Sequence, residues 1–249
     1  MKTVTIANQK GGVGKTTLAC HLAFHLRDLG RRVLFVDLDN QGNASSTLKS
    51  AASGCKATAL FHDDHPALPE PREGITLIEA DPSLTDLERQ NPQVINAFRH
   101  NLQAISGNYD FAVIDTPPTL GLRMTAALIQ SDYVVCPIEL DSYSIQGITM
   151  MLQTIFGVRD KYNPKLSFLG MLPSRFNSHS PAAKANLSEL LSSFAHFTIP
   201  AKLSNRSAIP EALGQGVPVW EIPKTAAREA GKELKGVLDQ ITAKMEAAA

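Results

Sequence analysis

The chain has 249 residues, 43% hydrophobic and 19% charged, with 24 Lys/Arg against 24 Asp/Glu; this is enough for one large α/β domain with a buried core. No apolar run approaches the roughly 20 residues of a bilayer-spanning helix, and "MKTVTIANQ" has no apolar signal segment, so the expectation is a cytoplasmic protein. Three scattered cysteines, Cys20, Cys55 and Cys136, argue against a zinc knuckle, a disulfide framework or a cysteine-held cluster, and suggest reduced, packed thiols.

Thr3–Ala7 (TVTIA) and Arg32–Asp37 (RVLFVD) are short β-branched and aliphatic runs, as expected of strands buried on both faces of a parallel sheet. Between them Leu18, Leu22, Leu26 and Leu29 recur at near-helical spacing and Gly30 supplies the stop, which makes a βαβ unit. Ser50 to Gly74 is the least patterned stretch; with its prolines and "HDDH" (His62 to His65) it is expected to be a surface excursion. Further strands are predicted at Ile75–Glu79, Phe111–Asp115, Tyr133–Ile138 and Leu166–Leu172, and helices near Val94–Ile105, Leu122–Gln130 and Ile145–Arg159. From Lys224 onward an Ala-, Lys- and Glu-rich stretch predicts a long closing helix. The fold class is α/β, one domain over residues 1–249. A mostly parallel twisted sheet with helices on both faces would bind ligands at its carboxyl edge.

The first strand-to-helix turn is "NQKGGVGKTT", Asn8 to Thr17. Counting G-x-x-x-x-G-K-[ST] back from Gly14-Lys15-Thr16 puts Gln9 where the first glycine belongs, and a second lysine, Lys10, follows it. Glycines at 11, 12 and 14 let backbone N–H groups crowd around phosphate oxygens at a helix N-terminus. Lys15 is then expected to reach the β- and γ-phosphates and the Thr16 hydroxyl to ligate Mg2+. Asp115 closes the apolar run of "FAVIDTPP" and is a second Mg2+ candidate, acting through a metal-bound water. In "VDLDNQGNASS", Asp37 and Asp39 lie two apart on one side of an extended chain. Asp39 is the candidate to orient the attacking water and Asp37 to support Mg2+ or the loop; capping of a helix at Asn43 to Leu48 is the competing use.

"KGGVGKTT", "VDLDNQGNASS" and "FAVIDTPPTLG", in this order, resemble the deviant Walker A, Walker A′ and Walker B motifs of the ParA/MinD family of P-loop ATPases. "SYSIQGI" (Ser142 to Ile148) and "NRSAIPEALGQGVPVWE" (Asn205 to Glu221) resemble segments of its ParA branch. The resemblance implies ATP and Mg2+ as cofactors and a nucleotide site made of Lys10, Gly11, Gly12, Val13, Gly14, Lys15, Thr16 and Thr17. It makes Lys10 the signature lysine, reaching phosphates held by a partner subunit, with Lys10, Lys15 and Asp39 as the catalytic set and an ATP-bound homodimer as the working form. Thr116–Gly121 would sense the γ-phosphate. The adenine would sit near Pro173–Asn177 and Thr198–Lys202.

Charge is unevenly spread: residues 37–115 hold 5 Lys/Arg and 12 Asp/Glu, and residues 159–249 hold 12 and 8. A polyanion should therefore meet the C-terminal third. Together with the resemblance, this suggests a nucleoid-associated protein that binds DNA non-specifically through Arg206, Lys224, Arg228, Lys232 and Lys235. It would move a plasmid, chromosome region or protein cargo with a ParB-like centromere-binding protein or cargo adaptor. A MinD-like membrane-binding ATPase is the alternative, but the tail stripe Leu234, Val237, Leu238, Ile241 and Met245 is spaced like an ordinary core-facing helix and lacks Phe or Trp. Cluster-carrier relatives need paired cysteines where Cys136 stands alone, and with a first strand at Thr3 no N-terminal helix-turn-helix is expected. His21 and His25 lie one helical turn apart but among Leu and Ala, and "HDDH" fits a solvated loop or partner contact.

Overall fold

The computed structural model describes residues 1–62, 67–140 and 145–247. Asp63 to His65 of the "HDDH" run and Ser142 to Ser144 of "SYSIQGI" lie outside the described residues.

Seven parallel strands, β1 (Lys2–Ile6), β2 (Val33–Asp37), β3 (Ala52–Lys56), β4 (Ile75–Glu79), β5 (Phe111–Asp115), β6 (Tyr133–Glu139) and β7 (Ser167–Ser174), form one sheet. Their order is β3-β4-β2-β5-β1-β6-β7, and every pairing is parallel. The helices are α1 (Lys15–Asp28), α2 (Asn43–Thr47), α3 (Val94–Ala104), α4 (Leu122–Gln130), α5 (Ile145–Lys161), α6 (Pro181–Phe194), α7 (Ala208–Gln215) and α8 (Thr225–Ala247). Strand alternation divides the core between two faces. Val33 and Phe35 pack with α1, α7 and α8, whereas Leu34 and Val36 pack with α3 and α4. Burial on both sides is why these strands are continuous apolar runs.

Among the described residues, one strand and two α-helices lie outside the predicted set. Edge strand β3 (ASGCK) falls in the excursion, pairs irregularly with β4 and has little apolar content to announce it. Helix α6 carries a start signal, Ser180 accepting from the Ala183 N–H at 3.1 Å with Pro181 following, but only Ala183 and Leu190 of it are buried. Helix α7 is too short for its periodicity to register. The α8 stripe Leu234, Val237, Leu238, Ile241 and Met245 is buried in the main core. That commits its apolar face to the sheet rather than to a lipid surface. No helix among the described residues is long and apolar enough to cross a membrane.

Candidate nucleotide and active site

Strands β1, β2 and β5 end together: Ile6 and Asp37 both pair with Asp115, so Asp37 and Asp115 open onto the loop that follows β1. Gly14 adopts φ 94°, and a Cβ there would lie 2.9 Å from Ser174 Oγ, so both conformation and space select glycine. Ser174 Oγ donates to the Val13 carbonyl at 2.6 Å and Arg175 Nη1 to the Gly12 carbonyl at 2.8 Å. Thus the end of β7 holds two loop carbonyls back and leaves the N–H groups to face a ligand. At the loop's start, Asn8 Oδ1 accepts from the Lys10 N–H at 2.9 Å. Gln9, in place of the usual glycine, donates through Nε2 to Thr154 Oγ1 of α5 at 3.1 Å.

The two lysines have different surroundings. Lys15 is buried, and its Nζ donates to the Lys10 carbonyl at 2.9 Å. Burial lowers its pKa, opposed by the negative charges of Asp115 and Asp39. The Lys10 Nζ lies 3.8 Å from Glu139 Oε2, with 43% of the side chain exposed. Glu139 also faces Arg175 Nε at 3.5 Å.

Among the acids, Asp115 Oδ2 accepts from Thr16 Oγ1 at 2.7 Å, while its buried Oδ1 has no protein partner. Burial and the Asp37 charge raise its pKa well above the ordinary carboxylate range. A hydroxyl beside a buried, half-satisfied carboxylate fits a hard cation that draws its other ligands from phosphate and water. Among the described residues no group of three or more His, Cys, Asp or Glu could hold a metal ion. Asp37 differs: Oδ2 accepts from the Ser45 N–H and Oγ at 2.8 and 2.7 Å, and Oδ1 from the Asp39 N–H at 3.1 Å. Its oxygens therefore make both the helix-capping contact to the first turn of α2 and a contact to the Asp39 loop. Asp39 is buried, with Oδ1 accepting from the Gln41 N–H at 3.1 Å. Thr116 Oγ1 donates to the Ile6 carbonyl at 2.8 Å, which fastens the segment after Asp115 to β1.

Ser45, Glu139, Ser174 and Arg175 are not among the expected site residues; Ser45 lies within "VDLDNQGNASS" and Ser174 and Arg175 within "PSRFN", whereas Glu139 carries no local signal. A cavity of about 220 Å³ beside the loop is lined by Gly12, Thr17, Ser174, Arg175, Asn205 and Pro210 among others. It takes in part of Pro173–Asn177 but none of Thr198–Lys202. His21 is no metal ligand: Nε2 accepts from the Val219 N–H at 3.2 Å, so the ring proton is on Nδ1, which donates to the Thr17 carbonyl at 2.8 Å. The basic candidates are spread over α8 and the segments before α7 and α8. Arg206 Nη1 lies 2.9 Å from Glu229 and Lys224 Nζ 2.6 Å from Glu211, while Lys235 Nζ stands 4.9 Å over the Trp220 ring and Arg228 and Lys232 are exposed.

A parallel sheet with a glycine-lysine loop at its first turn and carboxylates at the neighbouring strand ends defines a P-loop nucleoside triphosphatase. An AAA-domain family profile matches residues 1–168. Protein IncC of Escherichia coli is 46% identical over 257 residues, covering 99% of this chain and 70% of that protein. The chromosome-partitioning ATPase Soj of Thermus thermophilus is 36% identical over 197 residues, 79% of this chain and 77% of that protein. Among solved structures, cobyrinic acid a,c-diamide synthase of Mycobacterium smegmatis with bound ADP and magnesium matches with a TM-score of 0.78 at 25% identity, covering 100% of this chain and 97% of that one. The chain belongs to the ParA branch of the ParA/MinD family of deviant Walker A ATPases, within the AAA-domain family.

Proposed function

We propose that this chain is an ATP-driven dimerisation switch that grips DNA non-specifically in its ATP form and partitions or positions a cargo with a stimulating partner. The observation that carries the reading is the division between the two lysines. Lys15 is buried within its own loop, whereas Lys10 projects toward Glu139, half-exposed. A flexible ammonium beside a loop whose local lysine position is already filled suits triphosphate held by a second subunit.

In this reading Lys15 and the glycine backbone hold the β- and γ-phosphates, with the base in the cavity beside Arg175. Thr16 and Asp115 hold Mg2+, Asp37 keeps the Asp39 loop in place, and Asp39 orients the attacking water. Bound Mg2+ neutralises charge developing on the phosphate oxygens. Loss of the γ-phosphate frees Thr116–Gly121 and Lys10, and the dimer separates. Turnover is slow in the isolated chain and rises when a ParB-like or adaptor partner completes the site. Arg206, Lys224, Arg228, Lys232 and Lys235 supply the phosphate-contacting stripe, doubled across the dimer.

The test is binding to a long random-sequence duplex with ATP·Mg2+ against ADP·Mg2+ over a salt series, with Asp39→Ala holding the prehydrolysis state. ATP-specific binding that weakens steeply with salt is expected. ATP-dependent dimerisation with no DNA binding sinks the DNA assignment; anionic vesicles in the same assay then test the membrane alternative.

A further inference from the structure

Arg123 is the second residue of α4, next to the segment that follows Asp115, and only 5% of its side chain is exposed. Its Nε donates to Glu88 Oε1 at 2.7 Å, and Nη1 to the Leu38 carbonyl at 3.0 Å and to Asn40 Oδ1 at 3.3 Å. The second Glu88 oxygen accepts from the Leu122 N–H, the first of α4, at 2.6 Å. Glu88 itself comes from a separate 3₁₀ segment, Pro82–Arg89. Three stretches distant in sequence therefore meet on one guanidinium–carboxylate pair, and the residues it grasps, Leu38 and Asn40, flank Asp39. Leu38 is also tied to β5, its N–H donating to the Asp115 carbonyl at 3.0 Å.

Stability alone is a poor reason for this arrangement, because a well-packed apolar pair often replaces a buried ion pair at no loss. What an apolar pair cannot do is grip a carbonyl and an amide at fixed directions from one planar fork. We infer that Arg123, braced by Glu88, is a positioning residue for Asp39, making the loop after β2 and the segment after β5 shift as one body. The inference rests on Asp39 as the water-orienting group. Displacement of Thr116–Gly121 on loss of the γ-phosphate is then passed to Asp39 through the first turn of α4.

Gly121 offers a way to open the brace without deleting a charge. Its φ of −149° is ordinary extended backbone, but a Cβ there would run into the Glu88 carboxylate. The obstructing atoms end a flexible side chain, so alanine would displace that carboxylate from Leu122 and Arg123 while the backbone keeps its course. Arg123→Lys retains the charge and loses the fork.

The experiment measures kcat and KM for ATP·Mg2+, with thermal stability, for the full chain and its Asp39→Ala, Arg123→Lys and Gly121→Ala variants. Arg123→Lys and Gly121→Ala should each lower kcat about 10-fold or more, as misplacement of a catalytic group does, with KM within about twofold and Tm little changed. Wild-type kcat in both, or loss of kcat only in step with loss of Tm, overturns the inference and leaves a structural ion pair. A wild-type rate in Asp39→Ala overturns the reading of Asp39 and the brace with it. An inactive Asp39→Ala beside two active brace variants overturns the brace alone.

Discussion

Asp115 is the residue at which stability and chemistry pull hardest against each other. Its buried carboxylate bonds through one oxygen only, to Thr16, and desolvation raises its pKa. Ionising it in the free protein is therefore unfavourable, and a cation with phosphate would relieve that cost. Asp115→Asn keeps an acceptor for Thr16 and removes the charge. At neutral pH, without nucleotide or Mg2+, its Tm should exceed that of the parent, while Mg2+-dependent ATP hydrolysis is lost. An equal or lower Tm would show that the buried charge is compensated. Arg175 shows the same logic in the backbone: at φ 53°, a left-handed conformation uncommon outside glycine, it places its guanidinium on the Gly12 carbonyl. Such a conformation costs on the order of 1 kcal/mol or more and persists only where surrounding contacts hold it.

At the scale of elements, His21 joins α1 to the stretch leading into α8, and both its nitrogens are used. Burial pushes its pKa from 6.5 to about 4. As pH falls below 6.5 the unfolded chain takes a proton that the buried ring refuses, so this contribution to stability shrinks until about pH 4, by about 3 kcal/mol. Asp37 works in the opposite sense: with its pKa raised from 3.8 to about 6, its contribution to the fold is full below 3.8 and is lost as pH rises from there through about 6. His21→Gln can still donate to Thr17 and accept from Val219 without titrating. Its stability deficit against the parent, read by urea unfolding, should therefore narrow between about pH 7 and about pH 4.5. Parallel pH curves would assign the acid sensitivity to another group.

Across the whole molecule, charge partners decide how much basic surface is on offer. Arg206 meets Glu229 and Glu233, at 2.9 and 3.6 Å, and Lys224 meets Glu211. Under the DNA reading, a phosphate backbone competes with these acids for the same cations. Glu229→Gln should tighten non-specific DNA binding by the ATP form about 2- to 5-fold at low salt, the scale of one surface ion pair, and the gain should fade as salt rises. Unchanged affinity in that variant would take Arg206 out of the DNA interface.

Sequence by itself determined the α/β class, the central strands to within a residue or two and the family, because these rest on local facts. A strand buried on both faces must be a continuous apolar run, and a phosphate loop needs glycines within a few positions of its lysine. Edge strand β3 and helices α6 and α7 escaped because short or half-exposed elements carry little apolar period. Tertiary structure alone decided how the charged groups are spent. Ser174 and Arg175 hold a loop some 160 residues away in sequence. Asp37 is taken up by Ser45, the α8 stripe by the core and Arg206 by two glutamates, while Arg123 gathers Glu88, Leu38 and Asn40. An ion or hydrogen-bond partner is chosen by distance and desolvation in the folded chain, and neither is written in the spacing of residues along it.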